Sequence, residues 1–398
     1  MSQAFSNIRI LDFSQVIAGP YAAQLCNMLG AEVIKIEQPG AGDHMRSIMQ
    51  LDEPLYPSMS PGFISYNAGK RSLALNLKSP DSRDVIMRLA KTCDVVVENF
   101  RAGVINKLGF GYEAIKEVKP DIIYCSISGY GQTGPEAGRP AYDGAVQAAS
   151  GMMACTGYPE TGPTRVSYLP IDITTGLTAA FAISSALYRR SITGQGQYLD
   201  VAMLDAAVTL QSAHYASYLM GGPEPGLIGN SSPARLPTAN AFETTDGHVL
   251  VACVTEAQGD ALFKAIGLED KLEDPKYQGS ANRIANADEI TETIAQVMKS
   301  RSSDDWIKLL EPARVPIAKV RTISEVCADP QMETRNILST APAPDDAANN
   351  LQVVGAAFTT NADGPAVPGA APDIGQHNHE VLQMLGYSDS EIAALDLA

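Results

Sequence analysis

The chain has 398 residues, 45% of them hydrophobic and 19% charged, the balance of a folded protein long enough for two domains. Its formal net charge is −16, and no Lys/Arg run interrupts that excess, so a broad nucleic-acid footprint is excluded. A phosphate-bearing small molecule, which needs only a few placed cations, is not.

The first six residues lack a basic segment followed by an apolar core, and no apolar run approaches the roughly 20 residues of a membrane span without polar interruption. Cys26, Cys93, Cys125, Cys155, Cys253 and Cys327 are scattered and form no CxxC pair, as expected for reduced thiols in a cytoplasmic protein. Residues 8–13 read as a strand, 20–29 as a helix opened by Pro20 and stopped by Gly30, and 32–36 as a second strand. A strand, helix, strand unit calls for a parallel sheet. The pattern recurs in strands at 72–77, 94–97 and 121–126 and a helix at 81–91, so the N-terminal half reads as α/β, Rossmann-like and doubly wound.

Asp172 is the single charged side chain between Arg165 and Arg189, where an Ala-rich helical pattern begins. A lone carboxylate there is either a helix cap, favoured by orphan N–H groups and the dipole, or a reactive group. A strand is expected at 198–201 and a helix at 203–219. Gly/Pro/Ser-rich stretches at 221–226 and 229–233 then mark a linker. Strands near 241–244 and 248–252, turned at Asp246-Gly247, and helices through about residue 310 form a smaller α+β domain. A polar Ala/Pro/Gly-rich segment at 341–373 leads to a helix near 380–385. The expected division is a large domain over 1–220 completed by 341–398, with the linker and small domain over 221–340.

The turn from Gln15 to Tyr21 lies between strand and helix, where backbone N–H groups can face an anion. It lacks GxGxxG, so Glu37 at the end of the second strand is weak support for a nicotinamide site. Loop cations and amides form a second set: His44 and Arg46; Asn67, Lys70 and Arg71; Asn99 and Arg101; Lys107. Such groups at strand ends are where α/β proteins bind ligands. His377 and His379 sit on different helix faces and no HExxH occurs, so no metal site is expected. Ser126 and Ser128 lack the GxSxG elbow of a serine hydrolase.

Taken in order, several segments resemble the class III CoA-transferase family of the CaiB/BaiF type. They are Leu11-Asp-Phe13 with Ala18-Gly-Pro20, Leu29-Gly-Ala-Glu-Val-Ile-Lys-Ile-Glu37 with Gly42-Asp43 and Arg46, Asn67 with Gly69-Lys-Arg-Ser72, and Asp94-Val-Val-Val-Glu-Asn-Phe100. Leu108-Gly-Phe110, Ile127-Ser-Gly-Tyr-Gly-Gln-Thr-Gly-Pro135, Tyr142-Asp143, Thr193-Gly-Gln-Gly-Gln197, Asp246-Gly247 and Leu385-Gly-Tyr387 extend the match over nearly the whole chain.

The resemblance implies an interlocked homodimer that uses coenzyme A as substrate and product without a metal. It implies acyl-CoA and small carboxylic acids as substrates, and neither nucleic acid nor membrane as partner. It places the nucleophile at Asp172, which would carry CoA as an aspartyl thioester, and the helix dipole would keep that carboxylate ionised. Gln15, Ile17, Ala18, Gly129 and Tyr130 are expected around the thioester. Arg46, Asn67, Lys70, Arg71, Asn99, Phe100, Arg101 and Lys107 are expected around the nucleotide and pantetheine, the cations serving phosphates.

Three departures from the family pattern matter. Ile17 stands where formyl-CoA transferases carry glutamine, and residues 229–234 are the nearest segment to their polyglycine loop, which argues against formyl-CoA or oxalate as substrates. Gln15, two residues earlier and able to face the same side, is the candidate replacement donor and is counted with Asp172 as catalytic. Gln38 stands where several members have arginine. The related α-methylacyl-CoA racemases, the alternative reading, need a histidine base where this chain has Tyr142. A phenol, with an ordinary pKa of about 10, is poorly matched to removing an α-proton at neutral pH.

Overall fold

The computed structural model describes residues 3–345 and 349–395. Parts of the predicted completing segment, 346–348 and 396–398, and the first two residues lie outside the described residues. Contacts divide the chain into two units, one of Met1–Met152, Val166–Pro223 and Pro330–Ala398, the other of Met153–Arg165 and Glu224–Asp329.

The first unit is built on β1 (Arg9–Asp12), α1 (Ala18–Met28), β2 (Glu32–Glu37), α2 (Pro61–Asn67), β3 (Arg71–Ala74), α3 (Pro80–Lys91), β4 (Val95–Glu98), α4 (Val104–Lys107), α5 (Tyr112–Val118), β5 (Ile123–Ser128) and α6 (Asp143–Ala149). After a short excursion through β6 (Gly157–Tyr158) and β7 (Gly162–Pro163), which belong to the second unit, it resumes with α7 (Pro170–Thr193) and β8 (Gln197–Ala202). The six-stranded sheet has the order β3-β2-β1-β4-β5-β8, and every neighbouring pair is parallel.

Alternate residues of each strand point to opposite faces, and both faces are covered. Leu11, Ile34, Val96 and Tyr124 pack with Val85, Ile86 and Leu89 of α3 and with Val381 and Leu382 near the C-terminus. Ile10, Val33, Val95 and Ile123 pack with Ala22, Ala23 and Cys26 of α1 and with Ala179, Ile183 and Ala186 of α7. Burial on both faces explains why the strands read as continuous apolar runs. The chain winds outward one way from β1 through β3 and the other way from β4, so the carboxyl ends of β1 and β4 flank a topological switch point, where such sheets bind ligands.

Helix α7 runs unbroken for 24 residues and ends at Gly194, whose φ of 70° closes it in the left-handed region. It is long and apolar enough to cross a bilayer, a property the sequence pattern did not suggest because Asp172 and the two arginines interrupt the run. In the fold its inner side is core, while Leu177, Phe181, Tyr188 and Ile192 remain exposed.

The second unit contains β9 (Ala239–Glu243), β10 (His248–Ala252) and β11 (Ile317–Lys319) in an antiparallel sheet. Val249 and Val251 alternate inward from β10 onto a core that includes Phe263, Tyr277, Ile290, Ile294 and Trp306. Residues 153–165, placed in the large domain by sequence, group here because Gly229 N–H bonds to Gly157 O and the β6–β7 pair lies beside it. In the first unit, β12 (Leu338–Pro342) and β13 (Asn350–Val354) pair antiparallel, β12 beginning just before and β13 lying within the polar Ala/Pro/Gly-rich segment at 341–373.

Candidate active site

A cavity of about 250 Å³ lies at the switch point. The turn after β1 brings Gln15, Ile17 and Ala18 to it, the loop after β4 brings Asn99, Phe100 and Arg101, the loop after β5 brings Gly129 and Tyr130, and the first turn of α7 brings Asp172. These nine of the predicted site residues therefore meet, although they span more than 150 positions of sequence. A second cavity, of about 200 Å³, shares Gln15 and Phe100 with the first and continues over the ends of β2 and β3, where Gln38, Asn76 and Lys78 line it. The pair suits an elongated molecule with one end at Asp172.

Five predicted contacts line neither cavity. Lys70 is fully buried, with Nζ 2.9 Å from Asp12 Oδ2 and donating to Pro20 O. Arg46 forms a two-bond pair with Glu37 and lies over the Phe63 ring. Arg71 pairs with Glu32 and Glu380. Asn67 Nδ2 donates to Phe63 O within its own helix. Lys107 is exposed at the end of α4. A cation in a loop signals neither its partner nor its burial, which is why sequence placed these residues around phosphates. Lys70→Ala is accordingly expected to cost about 3–5 kcal/mol, because it strands the Asp12 charge in the interior. Thermal unfolding would fall steeply while the folded fraction keeps its CoA affinity.

Arg139 and Tyr142, which line the first cavity, and Lys78, which lines the second, were not among the sequence candidates, whereas His44, one of the loop candidates, does line the first. Lys78 was recoverable, since it follows a strand at the carboxyl edge of a parallel sheet. Arg139 lies in an irregular stretch whose only signal is its composition. Its guanidinium sits over the Tyr130 ring and pairs with Glu136, whereas Arg101 and His44 have no side-chain partner among the described residues.

At Asp172 the two sequence readings separate. Asp143 Oδ2 accepts the N–H groups of both Ile171 and Asp172, at 2.8 and 3.1 Å, so a carboxylate 29 residues away caps α7. Gln147 Nε2 holds Asp143 Oδ1 and also donates to Val166 O, while Gln147 Oε1 accepts Val166 N–H. The Asp172 carboxyl is left without a hydrogen-bond partner among the described residues. Burial first, and the Asp143 charge second, raise its pKa to about 7. The expectation that the dipole keeps it ionised is thus corrected, because desolvation and a neighbouring like charge outweigh a helix-end effect of about 1 kcal/mol.

The close approach of α1 to α7 sets the site's width. A Cβ at Gly176, one turn beyond Asp172, would lie 2.9 Å from Ala18 O and 2.8 Å from Tyr21 Cδ1. The backbone oxygen cannot swing aside, so Gly176→Ala should force the helices apart, at about 1–3 kcal/mol and with a lower kcat. A denaturant melt paired with steady-state kinetics reads both effects.

In the turn itself, successive N–H groups are bound. Phe13 donates to Val97 O, Ser14 to Asp12 Oδ1, Gln15 to Asn99 Oδ1 and Val16 to Asp43 Oδ1. Asn99 Nδ2 returns a bond to Gln15 O at 2.7 Å. The next three N–H groups, of Ile17, Ala18 and Gly19, have no partner among the described residues, and no side chain caps α1. Free N–H groups at a helix start favour negative charge, here beside Asp172.

Comparison with known proteins gives this arrangement a context. The model of CoA-transferase family III matches residues 5–378. The chain is 36% identical to a succinyl-CoA:mesaconate CoA-transferase of Haloarcula marismortui, covering 96% of both chains, and 35% identical to the human succinyl-CoA:glutarate CoA-transferase, covering 98% of this chain and 87% of the other. A CAIB/BAIF family protein from Brucella suis has the same fold, with a TM-score of 0.85, 28% identity and coverage of 97% of this chain and all of the other. The chain belongs to CoA-transferase family III and is an enzyme that transfers CoA between acyl-CoA thioesters and carboxylic acids.

Proposed function

We propose that this transferase moves CoA from a succinyl-CoA-like donor to a short dicarboxylic acid through a covalent aspartyl-CoA thioester on Asp172. The observation that carries the reading is a partnerless, largely buried carboxylate in a cavity that also holds Arg101, Arg139 and His44. The acids named for relatives, succinate, mesaconate, glutarate and oxalate, each bear two carboxyl groups. One must react and the other needs a cation.

The Asp172 carboxylate attacks the donor's thioester carbonyl, and the tetrahedral oxyanion is stabilised by the N–H groups of Ile17 and Ala18. Collapse expels the CoA thiolate and leaves a mixed anhydride between donor acid and Asp172. The thiolate then attacks the aspartyl carbonyl, releasing the donor carboxylate and forming the aspartyl-CoA thioester. The acceptor carboxylate repeats the two steps in reverse and leaves as its CoA ester. One thioester replaces another, so no external energy source is needed, and no proton is transferred once Asp172 is ionised. Water would hydrolyse both anhydride and thioester, so transfer requires that the bound substrates exclude it from the cavity.

Gln15 lines both cavities and stands as the polar donor near the thioester, taking the place Ile17 leaves apolar. Asn99, Phe100 and Arg101 would flank the pantetheine arm, with Lys78 toward the nucleotide. The exposed ridge of Leu177, Phe181, Tyr188 and Ile192 on α7 suits a second copy of the chain, consistent with the interlocked homodimer.

The test is incubation with succinyl-CoA and glutarate, mesaconate, oxalate or butyrate in deuterated water, with the CoA esters read by mass. The expected result is new CoA esters of glutarate or mesaconate without deuterium at the α-carbon, with oxalate and butyrate poor acceptors. Deuterium uptake into acyl-CoA without CoA exchange would overturn the reading in favour of a racemase.

A further inference from the structure

Beneath the turn that carries Gln15 and Ile17 lies a set of six buried charges that the acyl-transfer chemistry does not touch. Lys35, Lys70 and Arg46 face Asp12, Glu37 and Asp43, and none is more than 5% exposed. Asp43 Oδ2 is 2.8 Å from Lys35 Nζ, its Oδ1 accepts Val16 N–H at 3.0 Å and Met45 N–H at 2.9 Å, and its own N–H is held by Glu37 Oε1. Lys35 Nζ also donates to Ser14 O at 2.6 Å. The pairs therefore grip the turn at Ser14 and Val16, while Asn99 grips it at Gln15 from the other side.

Two physical facts make this more than a stabilising device. Burying ion pairs seldom improves stability over apolar packing of the same volume, since desolvation offsets the Coulomb attraction. And Val16 sits at φ 69°, a conformation strained for a β-branched residue, which persists only where the surroundings over-determine it. The strained residue immediately precedes the free N–H groups of Ile17 and Ala18, and its side chain is anchored in the same apolar cluster as Leu169 and Ile173, which bracket Asp172.

We propose that Asp43, held by Lys35, is a positioning residue for acyl transfer: it fixes Val16 in the left-handed conformation that turns the N–H groups of Ile17 and Ala18 toward the reacting carbonyl. This rests on the reading of those N–H groups as the oxyanion site. Asp43 reaches neither cavity, so it acts only through the turn.

The experiment uses full-length protein carrying Asp172→Ala, which cannot turn over, and succinyl-CoA labelled with ¹³C at the thioester carbonyl. Isotope-edited infrared spectra should show the carbonyl stretch moving to lower wavenumber on binding. Adding Asp43→Ala should abolish that shift while the CoA dissociation constant, measured by calorimetry, changes less than about threefold. Asp43→Asn keeps an oxygen for the Val16 N–H and should retain most of the shift. If Asp43→Ala proves poorly folded, the Lys35→Met/Asp43→Ala pair, which leaves no stranded charge between them, is read instead, with the same loss expected. With Asp172 intact, Asp43→Ala should lower kcat roughly 100-fold, the scale of one lost oxyanion donor, with KM little changed. A shift that survives in both Asp43→Ala and the paired variant overturns the positioning role alone. No shift in Asp172→Ala itself overturns the oxyanion reading, and this proposal with it.

Discussion

Asp172→Ala is expected to lower kcat by at least roughly 10⁴-fold, because removing a covalent nucleophile removes the route and not merely a stabilising contact. CoA affinity should hardly change. On the proposed reading, the nucleotide and pantetheine groups lie along the second cavity and Phe100, and Asp172 meets the substrate only at its thioester end. Parallel kinetics and calorimetry separate the two quantities. A variant that loses affinity and keeps kcat would make Asp172 a binding group. Asp172→Asn should be equally inactive, because a neutral amide has neither the charge nor the leaving-group chemistry for the anhydride step. The fold itself does not depend on this carboxylate, since Asp143 performs the capping.

The second large effect is on pH. On the proposed reading the attacking form is the carboxylate, and burial beside Asp143, which raises its pKa to about 7, means that kcat/KM should fall about tenfold for each pH unit below that value. Asp143→Asn keeps an acceptor for the Ile171 and Asp172 N–H groups but removes the charge that raises Asp172. The acid limb should therefore move to lower pH, and only part of the way, because burial is the larger cause.

The same shift has a stability consequence of fixed sign. The folded protein holds the Asp172 proton more tightly than the unfolded chain, whose carboxyl titrates near its ordinary value of 3.8. Between about pH 4 and 7 the unfolded state thus binds fewer protons, and stability drains away as pH rises through that window. Asp172→Asn should remove the loss, gaining about 2–4 kcal/mol at pH 8 and nothing near pH 3. Glu98 is also buried and raised to about 7, so the difference between wild-type and Asp172→Asn unfolding curves across pH is the quantity to compare. An unchanged difference at all pH values would contradict the buried, titrating carboxylate.

The parallel sheet was legible because its strands are apolar on both faces and separated by helices with recognisable starts and stops. The positions just beyond β1, β4 and β5 were legible for the same reason, and they hold most of the candidate site. What sequence could not show was pairing between distant residues. Lys70 and Arg46 look like free loop cations until Asp12 and Glu37, at the carboxyl ends of β1 and β2, are seen beside them. Those two acids, buried at the carboxyl ends of their strands, were the one available hint. The cap from Asp143 to α7 crosses 29 residues, and local patterns around Asp172 fit a cap or a nucleophile equally until that partner is known. The β12–β13 pair escaped because its two short strands flank a sequence rich in alanine, proline and aspartate, residues with little strand preference that read as a linker.

The most direct test of acyl transfer through Asp172 is chemical. The enzyme is incubated with succinyl-CoA, quenched with hydroxylamine or reduced with borohydride, and digested for peptide mass analysis. Transfer through this carboxylate predicts a hydroxamate or a reduced side chain at Asp172, formed only when the acyl-CoA is present and lost when excess acceptor acid discharges the thioester. An unmodified Asp172 under turnover, or an adduct on any other residue that forms and discharges with the substrates, would contradict it.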